Sequence, residues 1–204
     1  ADWEAPTSDN EDNGFVRVRG NITTLGGDFR IHGGTTPTEV TGGYSYGARL
    51  YNGRIDTGGG DITILGGAYA YDDEGATQIY NMHLTTVGAG AITLVGERAV
   101  SNSYVDTTSR HYAGLSIGDL VVSTEDGDIT LRGTTDMGVS NARNGYYTAG
   151  IRLYEYGRNL AVRSEGGDIK LEGRNTHGSV AGPGITLITN EDDGAKAVSG
   201  SGLD

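Results

Sequence analysis

Short runs of alternating apolar and polar residues recur along the chain. "DITILG" at 61–66, "AITLVG" at 91–96, "DITLRG" at 128–133 and "DIKLEG" at 168–173 are versions of one phrase, and "DFRIHG" at 28–33 is a fifth. Successive side chains of a β-strand point to opposite faces, so each phrase places two apolar residues on one face. These pairs are Phe29/Ile31, Ile62/Ile64, Ile92/Leu94, Ile129/Leu131 and Ile169/Leu171; the other face carries Arg30, Thr63, Thr93, Thr130 and Lys170. The residue opening each phrase serves as an anchor. The anchors Asp28, Asp61, Ala91, Asp128 and Asp168 lie 33, 30, 37 and 40 residues apart.

Each anchor strand has two strand-like companions. One precedes it: "NITTLGG" at 21–27, "RIDTGGG" at 54–60, "LTTVGAG" at 84–90, "LVVSTEDG" at 120–127 and "LAVRSEGG" at 160–167. The other follows later: "GARLYNG" at 47–53, "ATQIYN" at 76–81, "AGLSIGD" at 113–119, "GIRLYEYG" at 150–157 and "GITLITN" at 184–190, with "GFVRVRGN" at 14–21 as an earlier copy. One such unit cannot bury its own apolar face. Equivalent strands stacked ~4.8 Å apart can, by forming apolar ladders inside a narrow tube. The pattern therefore predicts an all-β fold, a parallel β-helix or solenoid of about five three-strand turns. The connection between the anchor strand and the third strand varies in length, over 33–47, 66–75, 96–113, 133–150 and 173–184. One corner of the tube is thus a variable-loop corner, where recognition is first expected. The repeats occupy 14–190, preceded by a polar arm or cap at 1–13 and followed by a tail or linker at 191–204.

Composition fits this picture. Gly accounts for 36 of the 204 residues, well above the usual ~7 %. The recurring "GG", "AG" and "DG" before each anchor mark a tight corner, where positive φ is inexpensive for Gly. There is no Cys, which excludes disulfides and thiolate metal sites. No apolar run reaches 18 residues, so no membrane-inserting helix is expected. The net charge of −12 disfavours nucleic acid as a partner.

The phrases "GGGDITILGG", "GGDIKLEG", "YGARLYNGRIDTGGGDI" and "GITLIT" resemble the repeat regions of filamentous-haemagglutinin-like bacterial exoproteins, over most of 14–190. The resemblance implies a right-handed parallel β-helix, secreted to the bacterial surface, with an adhesive or scaffolding role. It carries over no catalytic or ligand residue.

Candidate chemistry is sparse. The anchor aspartates would stack in a column broken at Ala91, either holding cations or bonding backbone N–H groups at their corners. Acidic clusters at 8–13, 71–75 and 190–194 make Asp72, Asp73, Glu74, Asp192 and Asp193 candidate Ca²⁺ ligands, with solvated loops as the alternative. The chain has 12 Tyr; Tyr44, Tyr46, Tyr146 and Tyr147, at the loop corner, are candidates for binding a cell-surface glycan or protein. Tyr51, Tyr80 and Tyr154 each follow an apolar residue of the third strand and form a further aromatic row; stacking between turns is the competing role for both sets. The Thr63, Thr93 and Thr130 row is too short, and too closely flanked by Arg30 and Lys170, for an ice-binding array. The four His share no metal spacing. No acidic pair suited to a glycosidase emerges on the anchor wall, so no enzyme is expected. A short solenoid leaves strand edges unpaired at both ends, which favours end-to-end self-association or membership of a longer protein.

Overall fold

The five anchor phrases form five short strands, and these pair in parallel in the predicted register. The computed structural model describes residues 16–33, 47–68, 76–98, 105–106, 113–136, 138–139, 149–155, 159–176 and 183–189. The anchor strands are β2 (Phe29–Gly33), β4 (Ile62–Ala68), β6 (Ile92–Arg98), β9 (Ile129–Thr135) and β13 (Ile169–Asn175), stacked in the order β13-β9-β6-β4-β2. Phe29, Ile62, Ile92, Ile129 and Ile169 follow one another in a single column.

The facing sheet differs from the prediction in one respect. The third piece of one turn and the first piece of the next run together as one bent strand. This sheet stacks β1 (Val16–Thr23), β3 (Ala48–Asp56), β5 (Thr77–Thr85), β8 (Ala113–Thr124), β11 (Ala149–Glu155) and β14 (Ile185–Thr189), with β12 (Ala161–Ser164) pairing the second half of β8. The bend falls on one residue per strand. Asn52, Asn81 and Asp119 share a column and have φ of 54°, 49° and 47°. Asn and Asp tolerate this left-handed region better than other side-chain-bearing residues. Asn81 Nδ2 donates to Asn52 Oδ1 at 2.7 Å, tying the bends together. Because a single residue leaves the extended region, the ladder continues on both sides of it.

Together the sheets make a parallel β-solenoid. Between them lie Leu50, Ile55, Ile64, Ile79, Met82, Leu84, Leu94, Leu115, Ile117, Leu120, Val122 and Leu131, all fully buried. Each contributes on the order of 1.5–3 kcal/mol of hydrophobic free energy. Burial fails at the C-terminal end, where Ile169 is 46 % and Leu171 44 % exposed.

At the loop-bearing corner the two sheets meet backbone to backbone. A Cβ on Gly133 would lie 2.0 Å from the Gly150 carbonyl oxygen, and one on Gly96 2.0 Å from that of Gly114. Glycine is required here for close approach, and the variable segments leave and return through this neck. Two of these segments contribute a small parallel pair, β7 (Val105–Asp106) with β10 (Gly138–Val139).

Candidate functional site

The sequence-based candidates Tyr44, Tyr46, Tyr146, Tyr147, Asp72, Asp73, Glu74, Asp192 and Asp193 all lie outside the described residues. The described residues are the tube itself, with its corners and outer walls.

At the corner before each anchor strand, the aspartates bond backbone. Asp28 Oδ1 accepts from the Asp61 N–H at 3.0 Å, Asp61 Oδ1 from the Ala91 N–H at 2.9 Å, and Asp128 Oδ1 from the Asp168 N–H at 2.9 Å. Each carboxylate thus clamps the next turn. The Asp61 N–H, followed by the Arg30 guanidinium, holds the Asp28 carboxyl below the usual carboxylate range. The same corner contains a column of hydroxyls that the sequence reading missed. Thr57 Oγ1 and Thr86 Oγ1 both donate to the Gly60 carbonyl, at 2.5 and 2.9 Å; Thr124 Oγ1 and Ser164 Oγ donate to that of Gly127, at 2.6 and 3.1 Å. The signal was legible as a Thr or Ser three residues before the inner glycine at Thr24, Thr57, Thr124 and Ser164, and four before it at Thr86. Among the described residues, no three His, Asp or Glu side chains converge as a metal site.

The outer wall of the anchor sheet carries a shallow depression of about 470 Å³, lined by Glu97, Arg132, Thr134, Lys170, Glu172 and Arg174. Arg132 pairs with Glu97 at 3.0 Å and Lys170 with Glu172 at 2.7 Å. The hydrogen bond from Lys170, with Arg132 and Arg174 nearby, lowers the Glu172 pKa.

The outer wall of the other sheet has a different chemistry. Its two outward columns before the bend read Arg17, Arg49, Gln78, Ser116, Arg152, Thr186 and Arg19, Tyr51, Tyr80, Gly118, Tyr154, Ile188. None of these positions is acidic, in a chain with 27 acidic and 15 basic residues. Three guanidiniums converge on one ring: Arg17, Arg19 and Arg49 lie 4.9, 5.6 and 5.7 Å from the Tyr51 centroid. Cation–π attraction orders these long side chains and offsets part of their mutual repulsion. Further along, Tyr154 bends over Gly118, where a Cβ would meet its ring at 2.1 Å, and stacks with Tyr80 at a centroid separation of 6.4 Å. The guanidinium of Arg152 lies 4.6 Å from the Tyr154 centroid. Arg17 and Arg19 are exposed, whereas Gln78, Ser116, Arg152 and Thr186 are buried although they alternate away from the core. The aromatic row of Tyr51, Tyr80 and Tyr154 was among the sequence-based candidates, and Tyr80 and Tyr154 stack as one of its two expected roles required; the basic part of this wall was absent from them. Its signal is the outward alternation of "VRVR" at 16–19 with "RLY" at 49–51, which becomes one surface only when the strands are in register.

No protein family, curated protein or solved structure matches this chain.

Proposed function

We propose that the chain is a structural protein: an extracellular, adhesin-like β-helix scaffold at a bacterial surface. In this reading the tube is right-handed with about five turns. It acts either as a subunit joined end to end or as a segment of a larger adhesin, and performs no catalysis. The observation that carries the reading is the state of the ends. Ile169 and Leu171 sit in the same columns as the fully buried Ile129 and Leu131, yet nearly half of each is exposed. Among the described residues β13 pairs on one side only, with β9. An apolar end with an open strand edge favours stacking on another strand. Electron microscopy of the purified chain tests this. Long fibres of uniform narrow width support a self-assembling subunit; discrete short rods at all concentrations remove that role and leave the adhesin segment.

A second reading is a binding module in which Tyr44, Tyr46, Tyr146 and Tyr147, with the acidic loops, recognise a cell-surface glycan or protein with help from Ca²⁺. The β7–β10 pair favours it, since two variable segments align side by side at one corner. Saturable glycan binding that is lost on Tyr→Ala substitution at these positions, or on chelation, would support it.

A further inference from the structure

We infer that the outer wall of the bent sheet binds a carboxylated sugar, a uronate unit. Arg152 and Gln78 hold its carboxylate, and its ring lies on Tyr80. The inference is independent of the end-to-end reading and of the loop tyrosines.

Three observations carry it. First, Arg152 is a buried cation without a counter-charge. It is 4 % exposed, its Nε has no hydrogen-bond partner, and no carboxylate pairs with it among the described residues. Its neighbour is the Tyr154 ring, 4.6 Å from the guanidinium to the centroid. A ring face attracts the cation but offers no lone pair to its in-plane N–H groups. Buried charge is costly unless it is paired and hydrogen-bonded. A planar guanidinium meets both needs best with a carboxylate, to whose two oxygens it donates side by side.

Second, further donors stand in line with it. Gln78, Ser116, Arg152 and Thr186 occupy successive strands of one column. Gln78 and Thr186 are buried, and Gln78 Nε2 and Thr186 Oγ1 also lack hydrogen-bond partners. Two strand spacings, roughly 10 Å, separate the backbones of Gln78 and Arg152. Ser116 lies between them, and its short side chain leaves room for a carboxylate between amide and guanidinium. These polar atoms have already lost their water, so a ligand that brings acceptors relieves a standing penalty.

Third, an aromatic surface adjoins the column. Tyr80 and Tyr154 flank Gly118 and stack at a centroid separation of 6.4 Å. The Tyr154 ring covers Gly118, while Tyr80 is 39 % exposed. The site thus opens beside the Tyr80 ring, where the C–H face of a pyranose can pack. A uronate carries its carboxylate directly on such a ring, which matches buried donors beside an exposed aromatic. The outward positions of this wall before the bend contain no acidic side chain to repel it. A net charge of −12 still disfavours long polyanions, so the ligand is a short oligomer or a chain end.

The test is isothermal titration of the full chain with trigalacturonate. Maltotriose is the neutral probe and triglutamate the acidic-peptide probe. The wild type is expected to bind trigalacturonate saturably and maltotriose not measurably. Arg152→Met and Gln78→Met keep the bulk of the column, and each should weaken binding about tenfold or more. Tyr80→Ala should weaken it about fivefold. Arg152→Met removes an unpaired buried charge, so it should unfold no earlier than the wild type. Should it fail to fold, Arg152→Lys decides in its place: it keeps the charge without the two-oxygen fork and should retain only part of the affinity. A folded wild type that does not bind trigalacturonate overturns the inference. Binding indifferent to the Arg152 variant, or lost on chelation or on Tyr44→Ala, places the saccharide at the loop corner and overturns it as well. Triglutamate binding as tight as that of trigalacturonate, with no effect of Tyr80→Ala, assigns the site to an acidic peptide instead. Full competition by equimolar inorganic phosphate assigns it to a simple oxyanion; either result sinks the uronate.

Discussion

The middle and the C-terminal end of the solenoid use the same residues to different effect. Ile129 and Leu131 are fully buried, while Ile169 and Leu171, in the same columns one strand further on, are nearly half exposed. Nothing in the local sequence distinguishes "DITLRG" from "DIKLEG" in this respect. Burial in a solenoid is supplied by neighbouring turns: among the described residues β9 has a paired strand on both sides and β13 on one, while at the other end of the sheet Ile31 of β2 stays 6 % exposed with a single paired strand, so the contrast belongs to the C-terminal end. Sequence periodicity therefore specifies which residues can be core, and what covers each strand in the stack decides which are.

The largest effects should come from the neck of a middle turn. Gly133→Ala places a Cβ 2.0 Å from the Gly150 carbonyl oxygen, and both partners are backbone in paired strands. The expected loss is roughly 3 kcal/mol or more, seen in urea unfolding as a collapsed midpoint or as failure to fold. The same substitution at Gly173 also clashes, at 2.1 Å from the Gly184 oxygen, but in a turn with fewer paired neighbours. A smaller loss there would sharpen the contrast, and an equal loss would break it.

Next come the core columns. Leu131→Ala removes a fully buried side chain and should cost about 2–5 kcal/mol. Leu171→Ala removes one that is 44 % exposed and should cost about 1 kcal/mol or less when the chain is dilute. If the two losses are equal in a monomeric sample, burial does not follow position in the stack.

How much of this was legible beforehand depends on the distance over which each feature is encoded. The anchor strands were legible because each is a local alternation written five times, and the register followed from it. The fused strands were not, because the single left-handed residue at Asn52, Asn81 or Asp119 looks like a strand end in sequence. The glycine neck was half legible. The glycines closing each anchor phrase stand out, but their contacts, Gly114 and Gly150, become evident only once the sheets face each other. The arginine cluster was least legible: Arg17 and Tyr51 come together only through pairing between β1 and β3, and that ladder shifts register between Arg19 and Asn21. The tyrosines and acidic residues singled out as binding candidates fall outside the described residues.

Corner hydroxyls should give a smaller effect. Thr124→Val keeps the shape and removes the donor to the Gly127 carbonyl, 2.6 Å away inside the tube. A loss of about 1–2 kcal/mol in denaturant unfolding is expected. Ser164→Ala, at the last such corner and only part-buried, should lose less, which extends the middle-to-end contrast to polar groups.

The smallest effect is electrostatic and lies at the opposite end of the tube. The Asp28 pKa is lowered first by the Asp61 N–H and then by Arg30, at 2.8 Å. A carboxyl whose pKa is lower in the folded than in the unfolded chain binds fewer protons when folded. Its stabilising contribution is therefore present above the unfolded-state pKa and is lost as pH falls through the folded-state value. Asp28→Asn retains an oxygen to accept from the Asp61 N–H but removes the charge. The variant should melt slightly below the wild type at neutral pH, and the gap should close in acid. Exposure and salt screen this site, so the difference should also shrink in high salt. A gap that persists below the folded-state pKa would mean that the side chain acts through the geometry of its hydrogen bond rather than its charge, and the aspartate column would then be a steric clamp in the terminal turn.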